Sequence, residues 1–207
     1  MPINNLLEIM SRLRDPINGC PWDVEQTFET LAPYTIEEAY EVREAISNND
    51  YDNLKDELGD LLLQVVFQSK IAEESKLFCF EDVVESICRK MIKRHPHVFG
   101  SAKIESVNEQ LTSWEDIKAK EREAVSENQT ESFSALNGVS VAYPALLRAE
   151  KLQRRAARVG FDWKETGPVL NKLDEEVSEL KEVLSGACDK LRLEEELGDI
   201  LFTCVNL

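Results

Sequence analysis

Several features that carry chemistry in other proteins are scarce in this 207-residue sequence or missing from it. Only eight residues are glycine, and no Gly-rich phosphate loop or Walker A pattern occurs, which excludes a P-loop mechanism. The two histidines, His95 and His97, stand together around one proline. This placement argues against a histidine zinc site. It also argues against a di-iron helical bundle, because the sequence has no Glu-x-x-His motif.

Positive charge is also in short supply. The sequence has 24 lysines and arginines but 40 aspartates and glutamates, so its net charge is −16. This charge argues against nucleic-acid binding as the main role. The longest apolar run, at residues 61–67, is interrupted by Gln64 and is too short to cross a bilayer. Five cysteines without a C-x-x-C pair predict reduced thiols and a cytoplasmic protein.

The abundant acids form a pattern in the first third of the chain. Glu38 and Glu41 are three residues apart, and so are Glu57 and Asp60, so each pair shares one face of a helix. Residues 47–50 lie between the pairs and are turn formers and helix caps. Two antiparallel helices with converging carboxylates are the simplest interpretation. Such carboxylates repel one another without a cation, and oxygen donors suit Mg²⁺ above all.

The acidic pattern then recurs in the second half of the chain. Glu176 and Glu179 repeat the spacing of Glu38 and Glu41. Glu196 and Asp199 repeat the spacing of Glu57 and Asp60 within another E-L-G-D motif. The distance along the chain from each acid to its counterpart differs by one residue between the two pairs. Acids that merely decorate a surface would not be expected to reproduce both motifs at a near-constant spacing. The alternative to an enzyme is an inactive helical scaffold or a nucleotide-binding regulatory fragment.

The remaining periodicity predicts an all-α protein. We predict helices at residues 5–14, 35–46, 52–72, 80–94, 111–124, 146–159, 168–185 and 191–207. Thr35 and Glu38 have the spacing of a capping box, which predicts that the first acidic helix starts there. A polar stretch before residue 136 predicts a linker. The predicted organisation is therefore a domain at 1–120, a linker at 121–136 and a domain at 137–207.

Two features leave alternatives open. Trp22 either stacks on a base or packs at the entry to a helix, and packing is the more common role of a large aromatic residue. Arg89 and Lys93 stand near the end of the helix predicted at 80–94. They either stabilise the C-terminus of that helix or contact a phosphate.

The motifs taken together resemble the MazG family of nucleoside triphosphate pyrophosphohydrolases, within the all-α NTP pyrophosphatase superfamily. The resemblance is carried by R-D-P-x-N-G-C-P-W-D-x-x-Q-T at 14–27, R-H-P-H-V-F at 94–99, R-V-G-F-D-W at 158–163 and both sets of acids. It implies two tandem MazG helical bundles in a homodimer. It further implies Mg²⁺-dependent hydrolysis of NTPs and dNTPs to the monophosphate and pyrophosphate, with Mn²⁺ as a substitute, in nucleotide-pool house-cleaning or stress.

The resemblance also assigns residues. Metal ligands are expected at Glu176, Glu179, Glu196 and Asp199, and at their counterparts Glu38, Glu41, Glu57 and Asp60. Nucleotide contacts are expected by family position from Lys172, Arg192 and Glu195. From their own placement, Arg89 and Lys93 are candidate nucleotide contacts in the first copy, and Glu175 or Glu195 is the candidate catalytic base. In two-copy members the C-terminal copy usually carries the activity. Members also continue into a further Lys- and Arg-rich helix, so the C-terminal domain is expected to be truncated at Leu207.

Overall fold

The computed structural model describes residues 1–126, 134–186 and 189–207, and the regular secondary structure in these ranges is helical. No strand occurs in these ranges, and the predicted all-α class is confirmed. The helices are α1 (Pro2–Leu13), α2 (Pro21–Glu25), α3 (Phe28–Asn48), α4 (Tyr51–Glu74), α5 (Phe80–Arg94), α6 (Pro96–Phe99), α7 (Val107–Ser126), α8 (Ala145–Arg158), α9 (Thr166–Ser185) and α10 (Lys190–Asn206). None of them has a stretch apolar enough and long enough to cross a membrane.

The start of α3 differs most from the prediction, because this helix begins seven residues before Thr35. Thr27 is the N-cap: its hydroxyl accepts from the Thr30 N–H, and the Thr30 hydroxyl accepts from the Thr27 N–H. Thr35 lies inside the helix, where its hydroxyl donates to the Leu31 carbonyl. The predicted capping box of Thr35 and Glu38 was therefore wrong, because an earlier threonine caps the same helix.

The chain divides into two compact units, Met1–Glu105 and Ser106–Leu207. The predicted linker at 121–136 overlaps the end of α7, and its residues 127–133 lie outside the described part of the chain. Residues 187 and 188, at the turn before α10, also lie outside it. The cysteines among the described residues, Cys20, Cys79, Cys88 and Cys204, are free thiols.

The first unit is built on the α3–α4 hairpin, which α1 and α5 contact through α4. Asn49 adopts a left-handed conformation with φ of 56°, and the Asp50 carboxylate caps α4 by accepting from the Asn53 N–H. This tight turn lies where the sequence predicts one. The buried core beneath the hairpin consists of Met10, Leu31, Val66, Phe67 and Ile71.

The stretch at 14–27 has a structural role. The Arg14 side chain is 7% exposed, forms a 2.7 Å ion pair with Glu74, and donates to the carbonyls of Asp23 and Gln26. These contacts tie the α1–α3 connection to the end of α4. Trp22 packs edge to face against two aromatic rings, with centroid distances of 6.0 and 6.3 Å to Tyr34 and Phe67. This packing favours the second interpretation of Trp22, as a residue at a helix entry.

The second unit repeats the hairpin with α9 and α10. The Asp189 carboxylate caps α10 by accepting from the Leu191 N–H, as Asp50 caps α4. Helix α8 packs on α10, and the Gln153 amide donates to the Phe202 carbonyl at 2.6 Å. The two copies of the acidic pattern are therefore held on two similar helix pairs.

Candidate metal and nucleotide site

The first acidic cluster consists of Glu38, Glu41 and Glu57, whose carboxylate oxygens lie within 4.8 Å of one another. The first two side chains come from α3, and Glu57 comes from α4. Glu38 and Glu57 are half-buried, and Glu41 is exposed. Asp60 is not part of this three-residue group, although its charge contributes to raising the pKa of Glu38. The antiparallel hairpin thus brings together the acids that the sequence places on facing helices.

The charges of the first cluster repel one another. Burial raises the pKa of Glu38, and the charges of Asp60, Glu41 and Glu57 add to the increase. Burial and the charge of Glu41 likewise raise the pKa of Glu57, against a hydrogen bond from the Asn53 side chain. Among the described residues no cation pairs with these three carboxylates, so that part of the chain offers nothing to offset their repulsion.

The second acidic cluster consists of Glu176 on α9 with Glu196 and Asp199 on α10, again with oxygens within 4.8 Å of one another. It is more deeply placed, since Glu176 is 4% exposed and Glu196 is 7% exposed, while Asp199 is exposed. Glu179 stands outside the three-residue group. Burial and the charges of Glu176 and Glu196 raise the pKa of Glu179, so this carboxylate borders the cluster.

Two cations lie against the buried carboxylates of the second cluster. The Lys172 ammonium is 2.7 Å from Glu176 Oε1 and 2.8 Å from Glu175 Oε1. These hydrogen bonds raise the pKa of Lys172 well above its ordinary value. Arg192 Nη2 lies 3.6 Å from Glu196 Oε1. Each cation stands one helical turn before its carboxylate, at the spacing that favours an ion pair on a helix.

The first cluster has no such cations. The positions that correspond to Lys172 and Arg192 hold Tyr34 and Asn53. The resemblance identified Lys172 and Arg192 as nucleotide contacts, but it gave no sign that they touch the acids themselves. The spacing of four residues to Glu176 and Glu196 was the signal that could have found these contacts.

The other predicted site residues occupy exposed positions. Glu175 is paired with Lys172, and Glu195 is exposed on α10 beside a member of the second cluster. Arg89 and Lys93 are exposed on α5 of the first unit and are not members of its cluster. Hydrogen bonds from Cys79 lower the pKa of Asp82 at the start of the same helix, and the charge of Arg89 makes a smaller contribution in the same direction.

The donor set of both clusters fits a hard divalent cation. Each offers three carboxylate oxygens at short mutual distance, with no sulfur or imidazole ligand in the group. Oxygen ligands of this kind suit Mg²⁺ and Mn²⁺ and do not select zinc. The burial of Glu176 and Glu196 makes the second cluster the better-enclosed of the two sites.

Comparison with known proteins agrees with this geometry. The family model described as the MazG nucleotide pyrophosphohydrolase domain matches residues 26–99. The chain is 51% identical over 206 residues to the nucleoside triphosphate pyrophosphohydrolase of Escherichia coli (strain K12), covering 99% of this chain and 76% of that protein. It is 46% identical over 202 residues to the nucleoside triphosphate pyrophosphohydrolase/pyrophosphatase MazG of Thermotoga maritima, covering 98% and 73%.

A solved structure is also similar. The crystal structure of a mazG-related protein from Thermotoga maritima is 33% identical in sequence and aligns with a TM-score of 0.46, over 56% of this chain and 97% of that chain. The 51% identity to the Escherichia coli protein, which spans 99% of this chain, decides the assignment. The chain belongs to the MazG family.

Proposed function

We propose that the chain is a nucleoside triphosphate pyrophosphohydrolase, which cleaves NTPs and dNTPs to the monophosphate and pyrophosphate. The observation that carries the proposal is the second acidic cluster, in which two buried carboxylates and Asp199 stand beside Lys172 and Arg192. The printed names of the Escherichia coli and Thermotoga maritima relatives give the same activity. A surface of acids alone would repel a triphosphate, so the adjacent cations are the feature that suits this substrate.

The proposed metal is Mg²⁺, with Mn²⁺ as a substitute. Glu176, Glu196 and Asp199 would hold it, with Glu179 at the border of the site. When bound, such an ion neutralises phosphate charge and lowers the pKa of a water molecule. The first cluster, with Glu38, Glu41 and Glu57 and with Asp60 beside them, is proposed as a second metal site.

The remaining roles fall to polar side chains around the second cluster. Lys172 and Arg192 would contact the phosphates, because each lies beside a buried carboxylate of the cluster while its own side chain is 36% or 61% exposed. Glu175 and Glu195 are exposed carboxylates beside the cluster and are the proposed candidates for the general base. Glu195 is also a proposed nucleotide contact. In the first unit, Arg89 and Lys93 are proposed to contact phosphate.

We place the chemistry in the second copy rather than the first. Tyr34 and Asn53 replace the two cations in the first copy, so a triphosphate would meet three carboxylates with no basic residue at these two positions. The first cluster would then bind a metal without turning over a nucleotide. The physiological role proposed for the second is nucleotide-pool house-cleaning or a stress response in the cytoplasm, where the chain's thiols stay reduced.

The chain is further proposed to act as a homodimer of two tandem MazG domains. One face of α4 exposes Leu58, Leu62 and Val65, which follow each other at helical spacing. Leu197 and Leu201 repeat this exposure on α10. A second copy of the chain is the proposed partner for these apolar faces, in line with the homodimer that the resemblance to the family implies.

The test is the identity of the products. Incubation of the full chain with a panel of NTPs and dNTPs, followed by ³¹P NMR, should yield a nucleoside monophosphate and pyrophosphate with Mg²⁺ and neither with EDTA. Formation of a diphosphate and orthophosphate would contradict the proposed cleavage. Tight nucleotide binding without any product would favour the alternative, a regulatory protein on the same scaffold.

A further inference from the structure

The ion pairs of the second cluster have a consequence for metal binding. Lys172 contacts Glu176 Oε1 at 2.7 Å, and this carboxylate is 4% exposed. A charge this deeply buried is strongly destabilising when it has no partner, so Lys172 stabilises the cluster in the absence of a metal. Arg192 makes a longer contact of 3.6 Å with Glu196. The two buried carboxylates therefore each have a cation supplied by their own helix.

A divalent cation and Lys172 would compete for the same oxygen atoms. Two like charges at adjacent positions on Glu176 repel each other, and the repulsion is stronger in a partly desolvated site than in water. The Lys172 side chain is 36% exposed, so its ammonium group is able to move away from the carboxylate towards solvent. It would then lose its 2.7 Å ion pair with Glu176 and keep its 2.8 Å contact with Glu175, and a polyphosphate would supply the anion that replaces Glu176.

The first cluster provides the comparison within the same chain. It has the same arrangement of three carboxylates, but Tyr34 stands where Lys172 stands in the second copy. Asn53 stands where Arg192 stands, and it offers Glu57 a neutral hydrogen bond instead of a charge. A metal entering the first cluster displaces no cation of the described residues.

We infer that Lys172 makes metal binding at the second cluster depend on a polyphosphate, because the polyphosphate supplies the anion to which Lys172 transfers when the metal binds. The inference rests on the proposed function, since the polyphosphate is the triphosphate of the substrate. The first cluster accepts its metal without this condition. Metal and nucleotide therefore enter the second site together, and a metal-loaded second site without nucleotide is disfavoured.

The test measures Mn²⁺ binding in the absence of nucleotide and needs no turnover. The full chain carries Glu38→Gln and Glu41→Gln to silence the first cluster, and free Mn²⁺ is followed by electron paramagnetic resonance. Removing the competing ammonium with Lys172→Met should tighten Mn²⁺ binding at least about tenfold. Lys172→Gln is a second variant with the same expected direction, and circular dichroism verifies that both retain their helices.

Lys181→Met is the matched control, because Lys181 is an exposed lysine on the same helix that lies outside the cluster. It removes the same charge from the molecule and should leave Mn²⁺ affinity unchanged. Equal affinity in the parent and in Lys172→Met would overturn the inference, and so would an equal gain in Lys181→Met. Because binding is measured without catalysis, such a result is separate from a failure to form pyrophosphate.

Discussion

At the scale of single residues, equivalent acids have different surroundings in the two copies. Glu38 and Glu176 hold the same place in the repeated motif. Glu38 is half-buried among other acids, and its pKa is raised by burial and by their charges. Glu176 is buried and paired with Lys172 at 2.7 Å. Equivalent acids of the two copies therefore differ in burial and in whether a cation stands four positions earlier in the helix.

The raised pKa of Glu38 predicts how stability depends on pH. The Glu38 carboxyl binds its proton more tightly in the folded chain than in the unfolded chain. The charged carboxylate therefore destabilises the fold at pH values above its ordinary pKa of 4.5, and this effect is absent well below that pH. In EDTA, Glu38→Gln should raise the free energy of unfolding at pH 7.5, and the gain should shrink as the pH falls towards 4.5. Urea titrations at several pH values measure this dependence.

Glu44→Gln is the control for this experiment, because Glu44 is exposed on the same helix and is not a member of the cluster. Its effect on the free energy of unfolding should be small at every pH. A loss of stability in Glu38→Gln at pH 7.5, or a gain that does not change with pH, would contradict the account of the first cluster.

Residue spacing predicted much of the candidate site. It placed Glu38 and Glu41 on one face and Glu57 on a facing helix, which the hairpin brings within 4.8 Å. It did not predict that Asp60 and Glu179 would stand outside the three-residue groups. That outcome depends on the rotation of each helix about its axis, which side-chain packing sets and a sequence period of 3.6 does not define.

At the scale of elements, the helix pairs were predictable and some of their ends were not. The acidic hairpin follows from turn residues between two periodic stretches, and Asn49 and Asp50 do form the turn. The start of α3 was missed because both Thr27 and Thr35 are acceptable caps. Leu31 lies between them and is buried in the core, which extends the helix back to the earlier threonine.

We expect substitution with alanine to change the unfolding free energy in opposite directions at two glycines of the first unit. A Cβ at Gly19 would lie 2.3 Å from the Leu13 carbonyl oxygen and 2.4 Å from the Asp15 carbonyl oxygen, which are backbone atoms that cannot rotate away. Gly19→Ala should therefore cost about 1–3 kcal/mol in unfolding free energy. Urea denaturation with the metal removed measures the change.

Gly59→Ala is the matched substitution. A Cβ at Gly59 would meet nothing within 4 Å, and the residue lies in the interior of α4. The variant should gain about 0.5–1 kcal/mol, because alanine loses less backbone entropy in a helix. Equal effects at the two positions would show that the turn after α1 is not packed as described.

At the scale of the whole molecule, the repeat predicted two similar helix pairs, and the structure describes one in each of its two units. What the repeat could not predict is the partner of the exposed apolar faces. Amphipathic periodicity shows that a face is apolar, but it does not identify the surface that covers it. The homodimer therefore stays a proposal with its own test.

Replacing Leu58 and Leu62 together with glutamine should convert a dimer into a monomer, because both side chains belong to the exposed face of α4. Glutamine is well tolerated in helices, so the helix itself should persist. Light scattering after size exclusion gives the mass. Leu77→Gln, at another exposed leucine outside this face, should remain dimeric. A monomeric parent chain, or a double variant of unchanged mass, would contradict the proposed assembly.

The most direct test of the account compares two equivalent acids in one assay of pyrophosphate release with Mg²⁺. Glu176→Gln removes a buried carboxylate from the second cluster, and Glu38→Gln removes its counterpart from the first. We predict that kcat falls at least about a hundredfold in Glu176→Gln and stays within about threefold of the parent in Glu38→Gln. The opposite pattern would move the chemistry to the first copy and contradict the role given to Lys172 and Arg192.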